Sequence, residues 1–393
     1  MKSYIKLEII EDDPEDSFSL SEVFKEMDDP RIERHKLYPL EEILFVTICA
    51  MICGSESWRD IHDFGNTKID FLRQYMSFEN GIPSKSTIAR VFSLLEPLQF
   101  RTAFIAWIKA FQKEIEENEV IGIDGKTLRR SFDYSNNNSA IHIVSAFATG
   151  ARLVLGQIKV DEKSNEITAI PTLLELLSIK KGIVTIDAMG CQKKIAQKIL
   201  QKEANYILAL KKNQGNLYDD IKLYLDSEAE NPTSESSYST YVEHDYGHGR
   251  IEKRKAWVSD NINWIHNVEE WVGLKSILMV DSERIIRGKK TTERRYFISS
   301  LPADAELHLK SVRSHWAIEN TLHWTLDMTF REDESRIRDR NAAENIAIVR
   351  HISMNLLQNA KGDYKKDMSI RRLKKNAGWE PYTFLRNILT KKF

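Results

Sequence analysis

The sequence predicts a mixed α/β protein with helices in front, and three observations predict it. A short β-branched run ending in a lone aspartate occurs twice, as Val120-Ile121-Gly122-Ile123-Asp124 and as Ile183-Val184-Thr185-Ile186-Asp187. Such a run, bounded by glycine, is the pattern of a buried strand. Near residue 120 the apolar spacing changes from that of helices to that of strands. Three strand-like runs are then followed by helix, strand, helix and strand, an alternation that builds a sheet covered by helices.

The elements follow in order. Residues 1–27 are an acidic segment; the first thirty residues hold three lysines against ten acidic side chains. Tyr38-Pro39-Leu40-Glu41-Glu42 opens an apolar run closed by Gly54. Proline and acids in a first turn, with glycine past the last, delimit a helix. Its apolar residues lie on nearly every side, which marks it as buried. A second, capped helix starts at Ser57-Trp58, and a third covers residues 69–76. Asn80-Gly81-Ile82-Pro83-Ser84 is a turn, and residues 86–95 form a helix stopped by Pro97. Two short helices around a glycine-containing turn suggest a helix-turn-helix, with Lys85, Ser86, Thr87 and Arg90 facing a DNA groove. Residues 28–115 are expected to be an all-helical domain.

Residues 140–149 and 152–160 alternate around Gly150-Ala151, a hairpin after the Asp124 strand. Residues 167–178 form an amphipathic helix after Asn165. The Asp187 strand, a lysine-rich helix over 192–202 and the strand Tyr206-Ile207-Leu208-Ala209-Leu210 complete the series. This is the order of a ribonuclease H-like core, which holds acids on its first strand, after its fourth, and on a later helix. From about 215 to 301 the order is interrupted by a polar linker at 231–237 and strand-like pieces at 238–246, 254–258, 276–280 and 295–299. A β-rich insertion is expected there. Helix resumes at Ala305 and runs to Phe330, followed by residues 342–358. The catalytic unit therefore spans 116–360. A basic segment, 361–393, holds ten cations against three acids and includes Arg371-Arg372-Leu373-Lys374-Lys375.

Composition narrows the classes. With 393 residues, 42% hydrophobic and 29% charged, the chain is long enough for two or three folded domains. The longest apolar stretch, residues 43–53, is too short to span a bilayer, so no membrane role is expected. Cys49, Cys53 and Cys191 form no Cys-x-x-Cys pair, which argues against a zinc knuckle or disulfide framework. With no signal-like opening segment, a cytoplasmic, nucleoid-associated protein is expected. The net charge of −1 averages over opposed ends, and local patches decide where a polyanion docks.

The chemistry lies in the acids. Asp124 and Asp187 end their strands, and Arg313-Ser-His315-Trp-Ala-Ile-Glu319-Asn-Thr-Leu-His323 offers a third carboxylate, Glu319, on an otherwise apolar helix; Asp327, Glu332, Asp333 and Glu334 compete with it, Asp327 foremost. Three unpartnered carboxylates repel one another, and a divalent cation relieves that repulsion. Oxygen-only ligation favours Mg²⁺, with Mn²⁺ as substitute, over zinc. Two such ions about 4 Å apart serve an in-line phosphoryl displacement. His323, one turn beyond Glu319, either touches the leaving phosphate or hydrogen-bonds within the core. Cations collect around the acids: Lys126, Arg129 and Arg130 after the first, Lys211 and Lys212 after the last core strand. Arg313, Arg336, Arg338 and Arg340 flank the glutamate helix. Contacts of this kind set affinity and register on DNA rather than sequence choice.

These residues resemble a known family. Asp124-Gly-Lys-Thr-Leu-Arg-Arg-Ser131, Asp187-Ala-Met-Gly190 with Gln192-Lys193, and Leu210-Lys-Lys-Asn-Gln-Gly215 are similar to insertion-sequence transposases of the DDE superfamily. Arg313 through Asp327, with Phe330-Arg-Glu-Asp-Glu-Ser-Arg336, resembles the H-repeat-associated subgroup, the Rhs-linked, ISAs-type proteins. Asp29-Pro-Arg31, Gly54-Ser-Glu-Ser-Trp58 and the segment from Gly81 to Phe92 are similar to that subgroup's N-terminal domain. The resemblance covers roughly residues 28–360. It implies a ribonuclease H-like core, Asp124, Asp187 and Glu319 as the DDE triad holding two Mg²⁺ ions, and action on an element's terminal inverted repeats. A related broader group carries a Tyr–Arg–Glu–Lys signature around the glutamate. Here His315 stands at its arginine, and Leu326 or Asp327 near its lysine.

The expected function is a DNA transposase. It would bind double-stranded DNA at the terminal inverted repeats, cut it and join the freed 3′-hydroxyl to target DNA, working as a homodimer on DNA. Two other classes stay open: a metal-dependent nuclease without strand transfer, and an inactive relic kept as a DNA-binding protein.

Overall fold

The computed structural model describes residues 24–391 apart from 112–114, 133–138, 162–163, 232–237, 248 and 365–367. Most of the acidic head and most of the polar linker lie outside the described residues.

The helical part opens with α1 (Leu40–Ile52), whose residues are buried almost throughout. Helix α2 (Trp58–Thr67) starts with a capping box: the Asp60 amide donates to Ser57 Oγ and the Ser57 amide to the Asp60 carboxylate. A short turn of helix, α3 (Ile69–Leu72), replaces the longer one expected. Helix α4 (Lys85–Leu94) is capped by Ser84 and packs on α2. Pro97 does not merely stop it. It is the first residue of a further helix, α5 (Pro97–Phe111), which the sequence reading passed over. Proline excludes helical backbone from the residue before it and pre-sets the first helical φ, so one residue ends one helix and starts the next.

The sheet begins with β1 (Val120–Thr127), β2 (His142–Ala148) and β3 (Leu153–Lys159). Then come α6 (Glu166–Leu176), β4 (Ile183–Ile186), α7 (Lys193–Gln201) and β5 (Asn205–Leu210). Strands β1, β4 and β5 run parallel and β2 antiparallel to β1. The stretch after β5 opens with an unexpected helix, α8 (Asn216–Glu230). It continues as β6 (Tyr238–Gly247), β7 (Arg250–Ser259), β8 (Ser276–Ile286) and β9 (Lys289–Ser299). These strands do not form a separate sheet. Strand β9 pairs antiparallel with β5, so all nine lie in one mixed sheet of order β3-β2-β1-β4-β5-β9-β8-β7-β6.

Both faces are covered. Apolar residues of one face, among them Val120, Ile183, Ile207 and Phe297, meet Leu309 and Val312 of α9 (Ala305–Ala317). On the other, Ile121, Ile123, Val184 and Leu208 pack with Leu173 and Leu174 of α6 and Ile199 of α7. Beyond α9 come α10 (Trp324–Met328), α11 (Arg340–Lys361), α12 (Ile370–Trp379) and α13 (Arg386–Thr390). The largely buried α11 packs against α1, α4, α5 and β3 and so joins the leading helices to the sheet. Its Asn355 imitates a strand partner at the β3 edge: the side chain accepts from the Val154 amide at 2.8 Å and donates to the Val154 carbonyl at 2.9 Å. Covering an edge in this way prevents pairing with another chain. Among the described residues no helix is long and apolar enough to cross a membrane.

Candidate active site

The site is set by the parallel register of β1 and β4. Ile123 pairs with Ile186, and the residue that follows each is an acid, Asp124 and Asp187. Asp187 leaves its strand as expected and accepts from the amides of Met189 and Gly190, at 3.0 and 3.4 Å. Asp124 differs from expectation. Its strand continues through Thr127, paired with β2, so Asp124 lies within a strand and faces Ser145 across the pair. Only its parallel neighbour ends there.

A helix closes over these acids at Gly122. A Cβ on that glycine would stand 3.4 Å from Ile318 Cβ and 3.6 Å from the His315 carbonyl. The expected single helix to Phe330 is broken there by a π-helical turn, Ile318–His323, between α9 and α10. Such i→i+5 turns occur mostly as single insertions in helices, often at functional sites. Glu319 lies in this turn and is exposed. Burial pushes the Asp124 carboxyl up to about 7, and the charges of Glu166, Glu319 and Asp187 add to the effect against a bond from the Gly125 amide. The acid is held among other negative charges, the situation a divalent cation corrects. The predicted triad supplies only oxygen donors, which suits Mg²⁺ or Mn²⁺. Among the described residues, no three acidic, histidine or cysteine side chains stand close enough together to hold a metal ion as they are.

The predicted cations divide into two groups. Lys126, on the same face of β1 as Asp124, is half-buried and turned toward carboxylates. Its ammonium pairs with Asp327, with Glu332 at 2.7 Å and with Asp333 at 3.6 Å. Asp327, the rival for the third metal position, is thereby also engaged. Glu332 is buried and lies 3.5 Å from Arg350. Burial works to raise its pKa, but the charges of Lys126 and Arg350 overcome this and hold it down to about 2. Arg313 is tied to β6 through Glu243, at 2.5 Å, and Asp245. His315 sets Nδ1 3.0 Å from Thr185 Oγ1, and burial pushes its pKa down. His323 places Nδ1 3.5 Å from Asp124 Oδ2; burial, with the charge of Lys126, pushes its ring down to about 4.

The second group faces outward. Arg129, Arg130, Lys211, Lys212 and Arg336 are exposed, with Arg129 3.2 Å from Asp333. Lys85, Ser86 and Arg90 are exposed on α4, and Thr87 is half-buried beside them. Two side chains fix the lysine pair beside Asp187: Asn213 donates to the Ala188 carbonyl at 2.7 Å and Gln214 to that of Cys191 at 2.6 Å. They lie in a string quoted above, where only its lysines received a role.

Sequence reasoning also missed Glu166. It is the first residue of α6 and acts on Asp124, and its Oε1 is 2.6 Å from His142 Nε2. Its place directly after the Asn165 cap was the available signal.

Asp124 thus lies in β1, Asp187 just past the end of β4, and Glu319 in the π turn of the helix that packs on Gly122. The chain belongs to the DDE transposase family: the profile described as "Transposase DDE domain" matches residues 116–356, and that described as "DDE_Tnp_1-associated" matches residues 21–108. It is 47% identical to the H repeat-associated protein YhhI of Escherichia coli (strain K12) over 331 residues, covering 82% of this chain and 86% of that one. It is 43% identical to YncI of Escherichia coli O157:H7, covering 91% of each. A shorter protein of strain K12, the inactive transposase YbfQ, is 60% identical over 57 residues, 14% of this chain and 68% of that one. Among solved structures, a piggyBac transposase synaptic complex with hairpin DNA matches with a TM-score of 0.43 and 10% identity, covering 93% of this chain and 76% of that one. That likeness is too low to inform the site.

Proposed function

We propose that the chain is a DNA transposase with a ribonuclease H-like core, acting on the terminal inverted repeats of an insertion element. The observation that carries this reading is the register of β1 and β4, which brings Asp124 beside Asp187 under the turn that bears Glu319. Family membership and the strand order β3-β2-β1-β4-β5 support it.

Asp124, Asp187 and Glu319 are the residues that would hold two Mg²⁺ ions. The chemistry such ions would supply is a lowered pKa for an attacking water or 3′-hydroxyl and neutralised charge on the phosphate. The protein's own contribution is placement. The amides of Met189 and Gly190 aim the Asp187 carboxylate, and the π turn carries Glu319. None of the acids acts as a covalent nucleophile. Arg129, Arg130, Lys211, Lys212 and Arg336 grip phosphates at the cleft, while Lys85, Ser86, Thr87 and Arg90 dock on the repeat. Lys126 and Arg313 are engaged by carboxylates and serve as framework. Two copies pair the element's two ends, in the cytoplasm at the nucleoid.

The test is incubation of the protein with DNA from the gene's own flanks and Mg²⁺ or Mn²⁺. Metal-dependent nicks leaving 3′-hydroxyls at repeat boundaries, followed by joined products, support the reading. Nicks without joined products make the protein a nuclease, and binding without nicks makes it an inactive DNA-binding copy.

A further inference from the structure

Behind Asp124 lies a buried seam that the chemistry above does not use. Nε2 of His323 and Nδ1 of His351 are sealed from solvent, and neither has a protein hydrogen-bond partner. Both side chains line one cavity of about 10 Å³, together with Lys126, Ser145 and Glu332. Each of these is tied to the surroundings of Asp124. Ser145 pairs with it across β1 and β2, Lys126 shares its strand face, and Glu332 holds Lys126. His323 turns its other nitrogen, Nδ1, toward Asp124 Oδ2, 3.5 Å away.

We propose that this cavity binds one water molecule bridging His323 Nε2 to His351 Nδ1, and that through it His351 is a positioning residue for Asp124. The volume is that of a single water, which needs about 10–15 Å³ and two to four polar partners. Filling it satisfies two ring nitrogens that folded proteins do not leave bare in the interior. The chemistry of the ring fixes the direction of the bonds. A neutral imidazole carries one proton, and a carboxylate facing Nδ1 selects the Nδ1–H form. Nε2 is then an acceptor, so the water donates to it and meets His351 Nδ1 with its remaining bonds. Held at Nε2 by the water and drawn at Nδ1 by the nearby Asp124 charge, the ring keeps one orientation against Asp124. No covalent bond is made or broken. The role toward Asp124 rests on the transposase reading; the water bridge does not.

The test uses the full chain with ¹⁵N-labelled histidine at pH 8.5, with signals assigned from a His323→Gln spectrum. The expected result is the pure Nδ1–H form at His323, becoming mixed in a folded His351→Leu variant and restored in His351→Gln. The Nε2–H form in the wild type, or a His323 signal indifferent to His351→Leu, overturns the bridge. Should His351→Leu not fold, the wild-type and His351→Gln spectra decide by the same criterion. Mn²⁺ titration of the same proteins without DNA tests the positioning role. Outer partners of metal ligands are worth about 10–100-fold in affinity, so about tenfold weaker binding is expected for His351→Leu and recovery for His351→Gln. Equal affinity in all three removes that role. Mn²⁺ affinity left unchanged by Asp124→Asn overturns the metal-site reading instead, while the spectra still judge the water.

Discussion

The ammonium of Lys126 lies 2.7 Å from the buried carboxylate of Glu332. Two residues along the strand from Asp124, a cation suited to DNA is thus committed inside the fold, and Arg350 holds the other side of the same carboxylate. Removing one member of such a pair strands the others in a dry interior. Glu332→Gln is expected to cost about 3–5 kcal/mol in urea unfolding at pH 7.

The same pair sets a pH dependence. The folded pKa of Glu332, about 2, lies below its ordinary value of 4.5. Its contribution is fully present above pH 4.5 and is lost as pH falls toward 2. The stability gap between wild type and Glu332→Gln should therefore narrow below pH 4.5. A gap that stays constant down to pH 3 would contradict the assignment.

Gly190 closes the turn that holds Asp187. A Cβ there would stand 2.2 Å from Ile186 Cγ2, a branch close to the strand backbone. Gly190→Ala is expected to cost about 1–3 kcal/mol by overpacking and to reduce DNA cleavage by displacing the acid. At Gly247 a Cβ would meet nothing within 4 Å, so Gly247→Ala should leave cleavage and melting temperature unchanged.

Asn355 gives the β3 edge its partner. Asn355→Leu leaves the buried amide and carbonyl of Val154 unpaired, at about 1–3 kcal/mol each. Hydrogen exchange should rise at Val154 before it rises in β1. Unchanged exchange at Val154 would refute the covering role.

The two groups of cations should separate in DNA binding. Lys85→Ala and Arg90→Ala are expected to weaken binding to a repeat-containing duplex and each to reduce the salt slope by about one. Arg313→Ala should leave the slope unchanged, since its guanidinium is paired with Glu243 and Asp245. Equal slopes for all three variants would rule out the division.

What was legible followed from locality. The cap at Ser57, the two aspartate strands and the order of core elements rest on neighbours in sequence, and all of them appear in the structure. The distal half of β9, from Lys289 to Arg294, is exposed on nearly every residue and shows no apolar alternation to read. Helix α8 was missed because only Ile221 and Leu225 are fully buried on it, too few to stand out beside a polar linker. The roles of Lys126 and Arg313 depend on partners about 200 and 70 residues away. Spacing along the chain cannot reveal such pairs. His351 lay hidden for a related reason, being one polar residue in a helix that is buried almost throughout.

The most direct measurement compares Mn²⁺-dependent cleavage of repeat-containing DNA by wild type with that by Asp124→Asn, Asp187→Asn and Glu319→Gln. These substitutions keep size and remove charge. If the three acids hold the ions, each variant binds the duplex as the wild type does but loses at least about a hundredfold in cleavage rate, the scale of a lost transition-state contact. Cleavage at the wild-type rate by any one of them would contradict the site.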